Sequence, residues 1–167
     1  MRWVLLVSLF VSVNALAEED ECTLSIDAVG SQLDLEKLPK GAKVVLSETK
    51  DRVHREVVRF ADGLEATVQV GGCAHLGLSL EVRSKQAVSA KLTPAQGIAL
   101  VKKVFARLPL KVNPVLRPKL FLDALAALKT TPTTFPVELS CGEFTTCELK
   151  LDTTPGPALI IWYSFAL

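Results

Sequence analysis

The stretch 68–82, VQVGGCAHLGLSLEV, contains two segments of alternating apolar residues with a pair of glycines between them. Val68 and Val70 precede a Gly-Gly break, and from position 74 every second residue is apolar up to Val82. A period of two residues places these side chains on one face of a β-strand. The opposite face then carries Cys73, His75, Ser79 and Glu81. The stretch therefore predicts two neighbouring strands of a sheet with one apolar face.

Further strands are predicted on the N-terminal side of this stretch. Residues 22–29 alternate between apolar and polar, and residues 42–48 form a second candidate strand. Residues 54–60 are followed by the turn sequence ADG and by the alternating residues 64–70, which together predict a hairpin. The connection 30–41 is expected to include a helical turn.

Two helices are predicted after these strands. Thr93 as N-cap, Pro94 at the first helical position and Gln96 form a capping box. Apolar residues at helical spacing continue this helix: Ile98, Val101, Phe105 and Leu108. Pro118 begins a second helix after a linker bounded by prolines. Its shared apolar face carries Phe121, Leu125 and Leu128.

A second group of strands ends the chain. Residues 134–141 and 147–152 alternate, with both Cys141 and Cys147 on the apolar side. The terminal run ALIIWYSFAL is apolar throughout, which predicts a strand buried on both faces with Trp162 and Tyr163 in the core. The fold class predicted is α+β, with antiparallel sheet(s) and two helices between an N-terminal and a C-terminal strand group.

The first residues have the pattern of a cleaved export signal. Arg2 precedes an apolar run, and Ala15-Leu16-Ala17 is a small-residue cleavage sequence. We expect residues 1–17 to be removed and residues 18–167 to form a single α+β domain with two disulfides. Localisation is then the bacterial periplasm or the medium. No stable membrane insertion is expected after cleavage, since no later apolar run reaches the roughly 20 residues that span a bilayer.

Charge argues against nucleic acid as a partner. Loss of Arg2 leaves 18 basic and 18 acidic residues, whereas nucleic-acid binding requires a basic surface.

The four cysteines of an exported chain predict two disulfides. Spacing favours Cys141–Cys147 across a short hairpin, which leaves Cys22–Cys73. The less favoured alternative is a zinc site with ligands Cys73, His75, Cys141 and Cys147, because Cys-x-His is tighter than usual ligand spacing. A nucleophilic Cys73 with His75 as its base is weaker still, because neighbours two apart on a strand are about 7 Å apart.

The remaining polar residues give no recognisable catalytic motif. His54 together with Asp51 would make an oriented base, but the charged stretch KDRVHREVVR favours an exposed imidazole without a catalytic role. Glu138 and Glu148 are expected to face each other across the last hairpin. We predict no catalytic residue, no cofactor and no metal ligand, and leave open whether His54 or His75 has a role.

The sequence favours a non-enzymatic, exported domain that binds a protein in the cell envelope or outside the cell. The most concrete version is a small inhibitor or immunity factor against an envelope-active enzyme. The predicted partner contact is the tip of the disulfide-bonded hairpin, with Glu143, Phe144 and Thr145; the turn at residues 60–64 is a less specific candidate. The alternatives are an envelope assembly or accessory protein and a hydrolase with an unrecognised site.

Overall fold

The computed structural model describes most of the chain from residue 30 onward. The described residues are 30–72, 75–84, 88–111, 118–142, 145–153 and 156–166. The predicted signal segment, the predicted strand 22–29 and the pair Cys22 and Cys73 lie outside these ranges.

The described part of the chain contains a seven-stranded antiparallel sheet and two α-helices, which confirms the predicted α+β class. The N-terminal strands are β1 (Lys43–Lys50), β2 (Val53–Arg59), β3 (Glu65–Gly72) and β4 (His75–Arg83). The helices are α1 (Pro94–Phe105) and α2 (Pro118–Ala126). The C-terminal strands are β5 (Val137–Ser140), β6 (Thr145–Asp152) and β7 (Ala158–Ala166). The predicted helical turn is a 3-10 helix, Leu35–Lys37.

The two strand groups form one sheet rather than two. Its strand order is β1-β2-β3-β4-β7-β6-β5, so β4 and β7 join the groups in the middle. The register places Leu80 opposite Ile161 and Val82 opposite Leu159. The apolar faces of the two groups therefore continue into each other, and the central strands are β3, β4 and β7.

The start of α1 has the predicted capping box. The Gln96 backbone N–H donates to the Thr93 hydroxyl at 3.4 Å, and the Thr93 N–H donates to the Gln96 side-chain oxygen at 2.9 Å. These bonds satisfy donors that a helix start leaves unpaired. Farther along α1, a methyl group at Gly97 would lie 2.9 Å from Phe135 Cζ and 3.2 Å from Leu159 Cδ2. Glycine therefore lets α1 approach the sheet closely.

Both helices pack on one face of the sheet. The predicted helical stripes are confirmed at Val101, Phe105, Phe121 and Leu125, which are buried, and the rings of Phe105 and Phe121 stack with centroids 5.8 Å apart. Buried sheet residues that belong to the same core include Val58, Ala66, Val68, Val70, Leu78, Leu80, Val82, Leu149, Leu159 and Ile161.

The prediction that β7 is buried on both faces is wrong. Leu159 and Ile161 are buried under the helices, but Ile160 is only half-buried and Trp162 is 42% exposed. An apolar sequence run does not reveal that the helices cover one face alone. The side chain of Tyr163 lies outside the described part. We call the sheet surface opposite the helices the open face; at its centre are Thr67, which is buried, and Gln69, Ser79, Glu81, Ile160 and Trp162.

Candidate functional site

The loop end of the β5–β6 hairpin is attached both to the sheet and to a helix. The structure contains the predicted disulfide Cys141–Cys147, with the two Cα atoms 6.0 Å apart, and both cysteines are buried. Cys147 is the register partner of Leu139 in the sheet, and Cys141 Sγ lies 4.0 Å from the Leu120 carbonyl oxygen of α2. The disulfide therefore fixes the hairpin end to the sheet and to α2. We call this arrangement the clamp.

The chain leaves this clamp at Gly142, whose φ of +113° favours glycine. Gly142 is exposed, and nothing lies within 4 Å of a methyl group placed on it. Thr145 begins β6 opposite Phe165. Glu143, Phe144 and the side chain of Thr145 lie outside the described part of the chain, so the predicted partner contact is located by the hairpin base alone.

His54 is buried, which contradicts the prediction of an exposed imidazole. Only 8% of the residue is exposed, because alternation along β2 turns it to the helix-covered face with Val58. Its Nδ1 is 2.7 Å from the Thr49 hydroxyl, rather than paired with Asp51. Its Nε2 has no hydrogen-bond partner within the described residues and lies 3.8 Å from Glu56 Oε1.

Glu56, which the sequence reasoning missed, is the most buried carboxylate described. It is 1% exposed and accepts hydrogen bonds from the Ser31 hydroxyl at 2.6 Å and from the Gln32 N–H at 3.0 Å. The alternation of side chains along a strand could have found it. Every second residue lies on the same face, so Glu56 and His54 share the core face of Val58 and Phe60. The donors come from the segment 30–34, which the Glu56 carboxylate fastens to β2.

This cluster does not have the arrangement of a hydrolytic triad. A triad places the imidazole between the nucleophile and the acid, so that the base can accept the hydroxyl proton. Here the Glu56 carboxylate stands between the Ser31 hydroxyl and His54 Nε2. Ser31 also donates within its own segment, to the Leu33 carbonyl oxygen at 3.2 Å. The hydrogen bonds of Glu56 instead join β2 to the segment 30–34, an arrangement that we call the clasp.

The structure does not describe the surroundings of Cys73 or of the His75 side chain. His75 begins β4 opposite Ala166, but its side chain and Cys73 lie outside the described part. Cys141 and Cys147 share a disulfide, so their sulfurs are not thiolate ligands. Within the described ranges, no three His, Cys, Asp or Glu side chains are grouped to hold a metal ion.

Two of the clefts on the described surface have no histidine among their lining residues. The larger, about 620 Å³, lies near the turn between β2 and β3 and is lined by Glu65, Arg83, Ser84 and Ser89 among others. Arg83 is engaged there by Glu81 and donates to the Gly156 carbonyl oxygen at 3.2 Å. The smaller, about 300 Å³, lies between α1 and the end of α2, with Lys102 and Lys129 at its wall.

The turn at residues 60–64 is fastened to α1. The Asp62 carboxylate accepts hydrogen bonds from Arg107 at 2.8 Å and from Lys103 at 3.3 Å, and the Arg107 guanidinium lies 4.0 Å from the centroid of the Phe60 ring. Hydrogen bonding from Arg107 is the main cause that lowers the pKa of Asp62. The acidic residue of this turn is therefore already neutralised within the chain.

The open face carries one large exposed aromatic side chain and a pair of like charges. A methyl group at Gly77 would lie 3.3 Å from two ring carbons of the Trp162 indole, so the indole is close to that glycine. Trp162 is the register partner of Glu148, which in turn is opposite Glu138, as the sequence predicts. The Lys150 amine is 3.9 Å from the Glu148 carboxylate.

None of the helices described is long and apolar enough to cross a membrane. Comparisons with models of protein families, with curated proteins and with solved structures found no match to this chain.

Proposed function

We propose that this chain is an exported, non-enzymatic domain that binds another protein through the end of the β5–β6 hairpin. The most specific form of the proposal is a small inhibitor or immunity factor against an enzyme that acts in the cell envelope. The observation that carries it is the clamp: a short loop follows Cys141, which is buried, disulfide-bonded to the buried Cys147 of β6, and 4.0 Å from the Leu120 carbonyl oxygen of α2.

A clamped loop suits binding because association must order the residues that make contact. A loop whose ends are already fixed loses less conformational entropy when it binds. Phe144 is placed between the two cysteines, and a single large aromatic side chain is a frequent anchor of a protein interface. We therefore assign Phe144 as the anchor, with Glu143 and Thr145 beside it.

The arrangement of the histidines favours binding over catalysis. A hydrolase needs its base at a cleft that substrate can enter. His54 is buried, with its Nδ1 at the Thr49 hydroxyl and its Nε2 near Glu56, and neither described cleft includes a histidine. The predicted leader and the disulfide are both compatible with an oxidising compartment, which supports export as part of the proposal.

Site-specific photo-crosslinking in the native host tests the proposal. A photoreactive phenylalanine analogue replaces Phe144 in one variant and Leu35 in a matched control. Leu35 is an apolar side chain that is 50% exposed and belongs to a different element, the 3-10 turn. We expect a discrete adduct from position 144 that is missing from position 35 and is suppressed by excess unmodified protein. No adduct at 144, or the same adducts at both positions, contradicts the proposal.

The identity of the adduct then tests the more specific form. An inhibitor or immunity factor must reduce the activity of the purified partner at a one-to-one ratio. A partner without enzymatic activity would instead favour the assembly or accessory role and exclude inhibition.

A further inference from the structure

We propose that the open face packs against the open face of a second copy of this chain, about a two-fold axis parallel to the strands. The inference goes beyond the proposed function and does not depend on it, because the interface is formed by the sheet and not by Phe144. Three features of the open face carry the inference: its division of charge, its exposed aromatic side chain and its size.

Charge is divided between the two sides of the open face. On β1 and β2 the open face carries four basic side chains, Lys43, Lys50, Arg55 and Arg59, and one acidic side chain, Glu48. On β5 and β6 the acidic side chains outnumber the basic one, Lys150, and they are Glu138, Glu148 and Asp152. Arg55 and Arg59 are exposed, as is Glu138. One copy therefore presents a basic margin and an acidic margin on the same surface.

This division selects one of the two ways in which a pair of sheets can face each other symmetrically. A two-fold axis across the strands would place the basic margin of one copy on the basic margin of the other. An axis along the strands exchanges the margins, so that basic meets acidic twice. Opposite potentials favour association, whereas like potentials oppose it. A closed, self-complementary pair of this kind is the commonest form of homo-oligomer.

The register shows which residues meet. β4 is the middle strand of the seven, so an axis over β4 places β2 opposite β6 of the second copy, and β3 opposite β7. One row across the sheet consists of Arg55, Gln69, Ser79, Trp162 and Glu148. Within that row, Arg55 meets the partner's Glu148, and Trp162 meets the partner's Gln69.

Three like-charge approaches remain. Glu81 and Arg83 lie on β4 under the axis, so each faces its own counterpart in the second copy, although the two side chains form an ion pair with each other within one chain. The third approach lies in the row of Arg55. Glu48 on β1 falls opposite the partner's Glu138 on β5. Both lie on the outermost strands, where the twist of two packed sheets separates them most.

The centre and the size of the face are sufficient for a weak pair. The Trp162 side chain is 42% exposed and its outer ring carbons lie close to Gly77, so it adds apolar surface at the centre of the face. With strands about 4.8 Å apart and residues on one face about 6.8 Å apart along a strand, the face measures roughly 30 Å by 20 Å. Two such faces bury on the order of 1,200 Å², the lower end for a specific interface, so we expect a micromolar dissociation constant.

The axis also fixes where the hairpin ends lie. Rotation about an axis parallel to the strands keeps the direction along the strands unchanged. Both β5–β6 hairpin ends therefore lie at the same end of the pair, on opposite margins. A pair of this kind presents two contact regions in one direction, which allows bivalent binding.

Charge exchange between two variants tests the inference. Sedimentation velocity is measured for the protein at loading concentrations from about 1 μM to about 100 μM, which bracket a micromolar dissociation constant. Arg55→Glu and Glu148→Arg are each expected to remain monomeric, because each homodimer would place like charges together twice. An equimolar mixture of the two variants is expected to form a heterodimer, since every Arg–Glu contact is restored there. The double variant R55E/E148R is expected to dimerise as well. Thermal unfolding followed by circular dichroism shows that each variant is folded.

The outcomes separate cleanly. A wild-type dimer that each single reversal abolishes, and that the mixture and the double variant restore, supports the inference. A monomer at every concentration, or a dimer that the reversals do not weaken, overturns it. So does a mixture that stays monomeric while the wild type dimerises.

Discussion

At the scale of single residues, the alternation of side chains along β2 determines the surroundings of His54 and Glu56. Val58 on β2 and Phe60 just after it are buried, and the same alternation puts His54 and Glu56 under the helices. The many charged residues around His54 favour an exposed strand, but the alternation decides the burial of its side chain. The donors to Glu56 were not predictable, because Ser31 and Gln32 reach it from 25 and 24 residues away in sequence.

Loss of the Glu56 carboxylate should destabilise the protein strongly. Glu56→Ala leaves the Gln32 N–H and the Ser31 hydroxyl without their acceptor in a buried place. We expect the free energy of unfolding to fall by about 3 kcal/mol, measured by urea denaturation. Ser31→Ala removes one of the two donors and should lower it by about 1 kcal/mol. An E56A variant as stable as the wild type would show that the clasp does not hold the segment 30–34.

The Asp62 ion pair should give a small, pH-dependent contribution. Arg107 lowers the pKa of Asp62 in the folded protein, so the folded state binds fewer protons than the unfolded chain in that range. The stabilisation is therefore present above the unfolded pKa of about 3.9 and is lost as the pH falls through the folded value. Because the Asp62 side chain is 40% exposed, we expect Asp62→Asn to lower the free energy of unfolding at neutral pH by less than about 1 kcal/mol. A destabilisation by D62N that persists or grows in strong acid contradicts this origin.

At the scale of elements, local chemistry predicts the start of α1 but not how close α1 lies to the sheet. The capping box is encoded within four residues, so the sequence contains the whole signal. The need for Gly97 arises from Phe135 and Leu159, which belong to other parts of the chain. The cysteine pair is an intermediate case, since short spacing and alternation indicate the hairpin, while its contact with α2 does not follow from sequence.

Substitution of Gly97 should reveal the close approach of α1. In Gly97→Ala the ring of Phe135 must move by a few tenths of an ångström, but alanine gains up to about 1 kcal/mol in helix propensity, so stability should change by less than about 1 kcal/mol. Gly97→Val adds further groups against Phe135 and Leu159 and should lower the free energy of unfolding by about 1–3 kcal/mol. Ala99→Val, at an exposed position of the same helix, is the control and should lower it by less than about 0.7 kcal/mol. If G97V and A99V lose the same stability, steric crowding is not the cause.

Opening the disulfide should loosen the hairpin end without unfolding the sheet. The bond closes a ring with a sequence separation of 6, for which the chain-entropy treatment gives about 2 kcal/mol. We expect the double variant C141A/C147A, which leaves Cys22 and Cys73 unchanged, to have a free energy of unfolding that is lower by about that amount. Amide exchange should accelerate in the part of β6 next to the clamp and remain slow in β3 and β4. Equal acceleration throughout the sheet would show that the bond supports the whole fold.

At the scale of the whole molecule, the sequence predicts the class of fold but leaves the number of sheets open. Each strand group is recognisable from local alternation and turn residues. The two groups form one sheet because β4 pairs with β7. This pairing brings Leu80 next to Ile161, although both helices lie between these residues in the sequence. Contacts of such sequence separation leave no local pattern, and the apolar character of both strands is equally consistent with separate sheets. The exposure of Trp162 is the consequence that the sequence reasoning missed.

The central claim is that the clamped hairpin end binds a protein, and the most direct test is an affinity measurement with the crosslinked partner after its isolation. Calorimetric titration would compare the wild type, Phe144→Ala and the control Leu35→Ala. We predict that F144A weakens binding by at least about tenfold, as loss of an interface anchor does, whereas L35A binds like the wild type. If F144A binds the partner as tightly as the wild type does, the hairpin end is not the contact region.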